Sequence, residues 1–112
     1  IEPKHFPVDG SAAAHLICGA PAAVRAAMAG DVLSAVWVRE ENIADPAALA
    51  AIAARHGVDD VPAAIASGKA LYAAHTQEAL QRGVFGAPSY MVSGEIFWGQ
   101  DRLEFLDRAL AA

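Results

Sequence analysis

Apolar residues recur at helical spacing over most of the chain, with Gly, Pro and Asp as punctuation. Residues 1–10 are the exception, because Pro3 and Pro7 interrupt helix formation and bias the residues before them toward extended geometry. Ser11 is placed to cap a helix over 12–18 that Gly19 stops, and Pro21 opens a second helix that Gly30 closes. Residues 31–41 are ambiguous: Val32-Leu33-Ser34-Ala35-Val36-Trp37-Val38 fits a strand and a buried helix alike. Asp31 as an N-cap and the charged close Arg39-Glu40-Glu41 tilt that segment toward helix. Asp45-Pro46 is a clear helix start, and Leu49, Ile52, Ala53 and His56 then share one stripe before Gly57, with Val58 set for a closing contact. A short helix from Asp60 to near Gly68 follows, then a helix over 69–82 with Tyr72, Ala73, Thr76, Ala79 and Leu80 on one face.

Period and punctuation change at Gly83. This glycine can end a helix in the left-handed conformation, and Gly86-Ala87-Pro88 makes a tight turn. Beyond it, residues 89–92 and 96–98 are β-prone runs around Ser93-Gly94-Glu95, a hairpin signal. The last helix, 101–110, carries Leu103, Leu106 and Leu110 on one side with Phe105 and Ala109 beside them, and its charges follow the helix dipole. The chain therefore divides into a helical part, 1–82, and a ββα part, 83–112, in an α-rich α/β fold. Two strands alone are marginal in water, so something must lie against this hairpin.

Composition narrows the picture. Hydrophobic residues make up 55% of the chain and charged ones 19%, which excludes disorder, and the abundance of alanine favours closely packed helices over a large aromatic centre. With a net charge of −5 and scattered basic residues, nothing tracks a phosphate backbone, so no nucleic-acid partner is expected. The longest charge-free run, 10–24, is too short to span a membrane, so no membrane partner is expected either. Cys18 stands alone, which leaves no internal disulfide and no Cys-x-x-Cys motif, and a reducing, cytoplasmic setting fits best. His15 and Cys18 would make half a metal site without a second pair, so no metal is expected. Gly83-Val84-Phe85-Gly86 lacks the Lys-Ser/Thr continuation of a phosphate-binding loop. His5, His56 and His75 read as surface or helix-face residues, and Trp37 and Trp98 as core.

A helix, a Pro turn feeding a hairpin and a final helix is how the second half of a thioredoxin-like fold reads. More specifically, Arg82-Gly83-Val84-Phe85-Gly86-Ala87-Pro88-Ser89 followed by Phe97-Trp98-Gly99-Gln100-Asp101-Arg102-Leu103 resembles the C-terminal signature of 2-hydroxychromene-2-carboxylate isomerases. These are relatives of kappa-class glutathione transferases in the DsbA-like group. Val36-Trp37-Val38, Asn42-Ile43-Ala44-Asp45-Pro46 and His5-Phe6-Pro7-Val8 resemble the helical insertion of that family and its extended lead-in. The resemblance implies a DsbA-like helical insertion followed by a ββα tail, with Ala87-Pro88 cis. It also implies that the serine that activates the glutathione thiol belongs upstream of Ile1. The chain then reads as a family member missing its N-terminal part, without a catalytic residue of its own and inactive alone; Ser11 is not promoted to that role.

In the resembled enzymes, glutathione assists the interconversion of 2-hydroxychromene-2-carboxylate and trans-o-hydroxybenzylidenepyruvate in aromatic degradation. The resemblance assigns glutathione as cofactor and gives it Ala87 and Pro88, whose backbone pairs with its cysteinyl main chain. It also gives it Gly99, Gln100, Asp101 and Arg102 at the helix start, which meet its γ-glutamyl end. Taken without the family, Gln100 and Asp101 are simply helix caps, and Arg102 is more often a structural partner than a ligand contact. Asn42 and Trp37 are the candidates for the small aromatic substrate, although an Asn before Ile-Ala-Asp-Pro is more simply a turn residue. A kappa-class-like transferase and a DsbA-family oxidoreductase are the rival enzymes. A non-catalytic helical fragment that self-associates through its uncovered hairpin is the rival from another class, and homodimerisation stays open.

Overall fold

A computed structural model describes residues 2–111. Five α-helices, α1 (Ser11–Gly19), α2 (Ala22–Trp37), α3 (Pro46–Arg55), α4 (Val61–Gln81) and α5 (Leu103–Ala111), accompany one hairpin, β1 (Ser89–Val92) and β2 (Glu95–Trp98). The chain forms two compact units, Ile1–Ala74 and His75–Ala112, the division falling inside α4.

The first unit is helical. Asp9, not Ser11, serves the start of α1: its Oδ1 accepts from the Ser11 amide at 2.9 Å and hydroxyl at 2.7 Å, while Ser11 is itself the first helical residue. The ambiguous segment is helix, and Gly30 does not interrupt it, so α2 runs continuously to Trp37. A Cβ at Gly30 would meet nothing within 4 Å, so no neighbour makes this glycine a break. The two helices expected around Gly68 are likewise one, α4. Here the reason is tertiary: a Cβ at Gly68 would overlap the carbonyl oxygen of His15, and one at Gly19 would overlap that of Ala64. Gly19 on α1, with Ala64 and Gly68 four apart on α4, thus brings the two backbones into contact, and His15 meets Tyr72 edge-on at 5.1 Å one turn further along.

The start of α3 follows the sequence signal, with Asp45 Oδ1 accepting from the Ala47 amide at 2.9 Å and Pro46 in the first turn. Its end is a Schellman closure: Gly57 has φ 76°, and the Val58 amide reaches back to the Ala53 carbonyl at 2.9 Å. Leu16, Met28, Ala35, Leu49, Ile52 and Ala53 form the centre of the core. Trp37 departs from expectation: it is 54% exposed and tilts against Phe6, ring centroids 5.1 Å apart, in front of a cis Phe6–Pro7 bond that the sequence did not announce.

In the second unit the closure of α4 repeats that of α3, with Gly83 at φ 78° and the Val84 amide on the Ala79 carbonyl at 2.9 Å. The hairpin turns on two residues, Ser93 and Gly94, at φ 50° and 81°, so Glu95 joins β2 and pairs with Val92. Positive φ at both turn positions matches the strand twist, which is why a Gly is needed there. The final helix is preceded by a 3-10 turn, Gln100–Arg102, and of its expected leucine side only Leu106 is buried. No helix among the described residues is long and apolar enough to cross a membrane.

Candidate functional site

The Pro turn and the start of the last helix are joined by the hairpin. Because β1 follows Pro88 directly and β2 precedes Gly99 directly, the Ser89–Trp98 pairing sets the two stretches side by side. The Gly99 amide donates to the Pro88 carbonyl at 2.8 Å, extending the ladder by one rung beyond the strands. Ala87, Pro88, Gly99, Gln100 and Asp101 thereby become neighbours at one end of the hairpin, and the Ala87–Pro88 bond is cis.

Aromatic packing holds the turn. Trp98, expected in the core, is half exposed; its indole lies over Gly86, where a Cβ would overlap Nε1, and tilts against Phe85 at 5.3 Å. The Ser89 hydroxyl donates to the Gly86 carbonyl and is thus committed to the turn. Ala87 is exposed, and among the described residues its N–H and C=O have no hydrogen-bond partner.

The helix start is equally open. Gly99 sits at φ 92°, a conformation that disfavours any side chain, and a Cβ there would meet Asp101 Oδ1. Gln100 and Asp101 are exposed, and neither side chain caps the helix or bonds another described residue. The capping role that sequence alone favoured for them is absent. The first amides of the turn lack intrahelical acceptors by geometry, so backbone donors lie beside an exposed carboxamide and an exposed carboxylate, the latter folded back over Gly99. This array matches an amino-acid end group, carboxylate to N–H and ammonium to Asp101, and Ala87 offers a main-chain pair for the rest of a short peptide. Arg102 turns away along α5, its guanidinium 5.6 Å from the Phe105 ring centroid.

Asn42 and Trp37 belong to the helical unit. The Asn42 side chain accepts from the Ala44 amide at 3.1 Å, the turn role that its sequence setting suggests. His56, read as a surface or helix-face residue, is partly buried and bonded. Its Nε2 lies 2.9 Å from Asp31 Oδ2, and Asp31 also accepts from Arg55 at 2.9 and 3.0 Å and from Arg39 at 2.6 Å. The Arg55 guanidinium holds the Asp31 carboxyl well below the usual carboxylate range; burial opposes this, and His56 and Arg39 add to it. This knot went unread in the sequence because its members come from separate stretches, and its position ties α2 to α3. Among the described residues, no three His, Cys, Asp or Glu side chains gather as metal ligands.

The model of the DSBA-like thioredoxin domain matches residues 2–111. A 2-hydroxychromene-2-carboxylate isomerase of Sphingobium xenophagum is 50% identical over 44 residues, which are 39% of this chain and 23% of that protein. The match thus covers less than a quarter of the relative's length. No solved structure matches.

Proposed function

Since the chain belongs to the DsbA-like thioredoxin family, we propose that it is the cofactor-gripping part of a glutathione-dependent isomerase acting on 2-hydroxychromene-2-carboxylate or a close analogue. The observation that carries this reading is the 50% identity with a protein named for that reaction. The open helix start supports it: Gln100 and Asp101 are exposed and have no side-chain hydrogen bond among the described residues, as suits a binding pair rather than a capping pair.

In this reading Ala87 pairs with the main chain of the bound tripeptide, as an added strand would. The amides of Gln100 and Asp101 hold the γ-glutamyl carboxylate, where the helix dipole favours negative charge. Asp101 accepts from the ammonium, and Gly99 keeps the approach free of a side chain. Glutathione supplies the thiol that adds reversibly to the unsaturated substrate and permits rotation about a carbon–carbon bond. No residue of this chain is assigned to activate that thiol. Trp37 and Asn42 are its proposed contacts to the aromatic substrate, and Arg102 is left out.

The test is isomerisation of 2-hydroxychromene-2-carboxylate, followed by absorbance with and without glutathione, in the protein that carries this segment. The expected result is conversion that requires glutathione and falls about tenfold in Asp101→Ala, the loss of one charge-assisted contact. Conversion indifferent to glutathione, or unchanged in that variant, overturns the assignment. Faster turnover of a generic electrophile than of the chromene carboxylate would instead indicate a transferase.

A further inference from the structure

We propose that the outer edge of β2 and the adjoining side of α5 form a docking groove for an extended acidic peptide segment. The groove, of about 530 Å³, is lined by the four consecutive residues of β2, Glu95 to Trp98, and by Arg102, Phe105, Arg108 and Ala109 of the last helical stretch. No residue of β1 lines it, so it runs along the side of β2 that faces away from its partner strand.

The register fixes what the strand offers there. In a hairpin closed by a two-residue turn, the closing pair Val92 and Glu95 exchanges hydrogen bonds, and bonding pairs then alternate with open ones. Tyr90 with Phe97 is the next bonded pair and Pro88 with Gly99 the one after, the last seen directly as the 2.8 Å bond from Gly99 to Pro88. Ile96 and Trp98 therefore turn their N–H and C=O groups outward, into the groove. Two donors and two acceptors in line at strand spacing recognise another extended backbone.

The walls choose its chemistry. Two guanidinium groups lie over the Phe105 ring, Arg102 at 5.6 Å and Arg108 at 5.7 Å from its centroid. Arg108 is bonded to Glu104 at 2.6 Å, an exposed i,i+4 pair that holds it loosely. Arg102 has no carboxylate partner among the described residues, although the chain as a whole is acidic. Glu95 is the groove's own acidic residue, and the half-exposed Trp98 and Phe105 supply apolar surface for alternate side chains. A strand-forming segment with carboxylates at alternate positions satisfies the edge, the rings and the unpaired guanidinium together.

The probe is a fluorescein-labelled peptide of alternating Glu and Val, titrated against the whole chain by fluorescence anisotropy. The expected result is binding at least about fivefold tighter than that of the same peptide with Lys for Glu, a preference lost in Arg102→Gln. Methylating alternate peptide amides, which leaves the protein untouched, should weaken binding about tenfold by removing the strand-pairing donors. Equal binding of the Glu and Lys peptides, or no effect of methylation, overturns the proposal. Dimerisation in sedimentation that the Glu peptide cannot compete would assign the edge to a second copy and overturn it as well.

Discussion

Among the described residues, the buried apolar side chains belong to Ile1–Ala74 with two exceptions, Phe97 and Leu106. In His75–Ala112, by contrast, Leu80, Phe85, Trp98, Phe105 and Leu110 stay exposed, and two short strands carry the whole sheet. The helical unit exposes Leu33, Trp37 and Val38 but holds nearly all of the buried core, whereas the ββα unit buries only Phe97 and Leu106 and leaves most of its large apolar side chains outward. Such a surface is costly for a module with only structural work to do and is what a binding module needs. Stability and recognition are therefore expected to respond to different halves of the sequence.

The largest effect that would break this contrast is a core truncation. Ile52→Ala, at a fully buried position, should cost about 3–4 kcal/mol in urea unfolding, while Leu110→Ala, 65% exposed, should cost under about 0.5 kcal/mol. Similar costs at the two positions would show that the ββα unit has a core of its own. Next comes Gly68→Ala. Helix propensity alone predicts a gain, but the new Cβ would meet the His15 carbonyl, so a loss of about 2 kcal/mol is expected, read as a lower melting temperature.

Asp31→Asn follows, at about 1–2 kcal/mol, because one carboxylate serves Arg39, Arg55 and His56. Its folded-state pKa is depressed, so the stability it contributes is fully present above the unfolded value near 3.8 and is lost as pH falls below that value. Urea midpoints measured between about pH 6 and 3 should therefore fall more steeply in the parent than in the Asn variant. The smallest effect is Gly30→Ala. It should raise stability by about 0.5–1 kcal/mol, since this glycine lies inside α2 with open space around it, and a loss there would reveal a constraint the packing does not show.

Glycine also marks how far the sequence could be read. Gly57 and Gly83 end helices as their setting suggested, because each is followed by an apolar residue whose amide closes the last turn. Gly30 and Gly68, followed by Asp31 and Lys69, lack that apolar residue and end nothing; the role of Gly68 depends on a carbonyl more than fifty positions away, at His15, and Gly30 has no neighbour to constrain it. Asp45-Pro46, Ser93-Gly94 and the cis Ala87-Pro88 turn were legible because their causes are local or carried by the family motif. The Asp31 knot and the exposure of Trp37 and Trp98 were not, since composition counts an aromatic as core wherever it falls and cannot see which side chains a fold leaves uncovered. At the site, the motif named the residues, but only the structure separates Gln100 and Asp101, which have no side-chain hydrogen bond among the described residues, from Arg102, which lies over Phe105.

In the proposed function the end of the hairpin, and not the helical unit, grips the tripeptide. Titrating reduced glutathione into isotopically labelled protein and following backbone amides by NMR tests it most directly. Shifts are expected at Ala87, Gly99, Gln100 and Asp101 with Met28 and Ile52 unmoved, and about tenfold weaker binding in Asp101→Ala. Shifts centred on the helical unit, or an Asp101→Ala variant that binds as tightly as the parent, would contradict it.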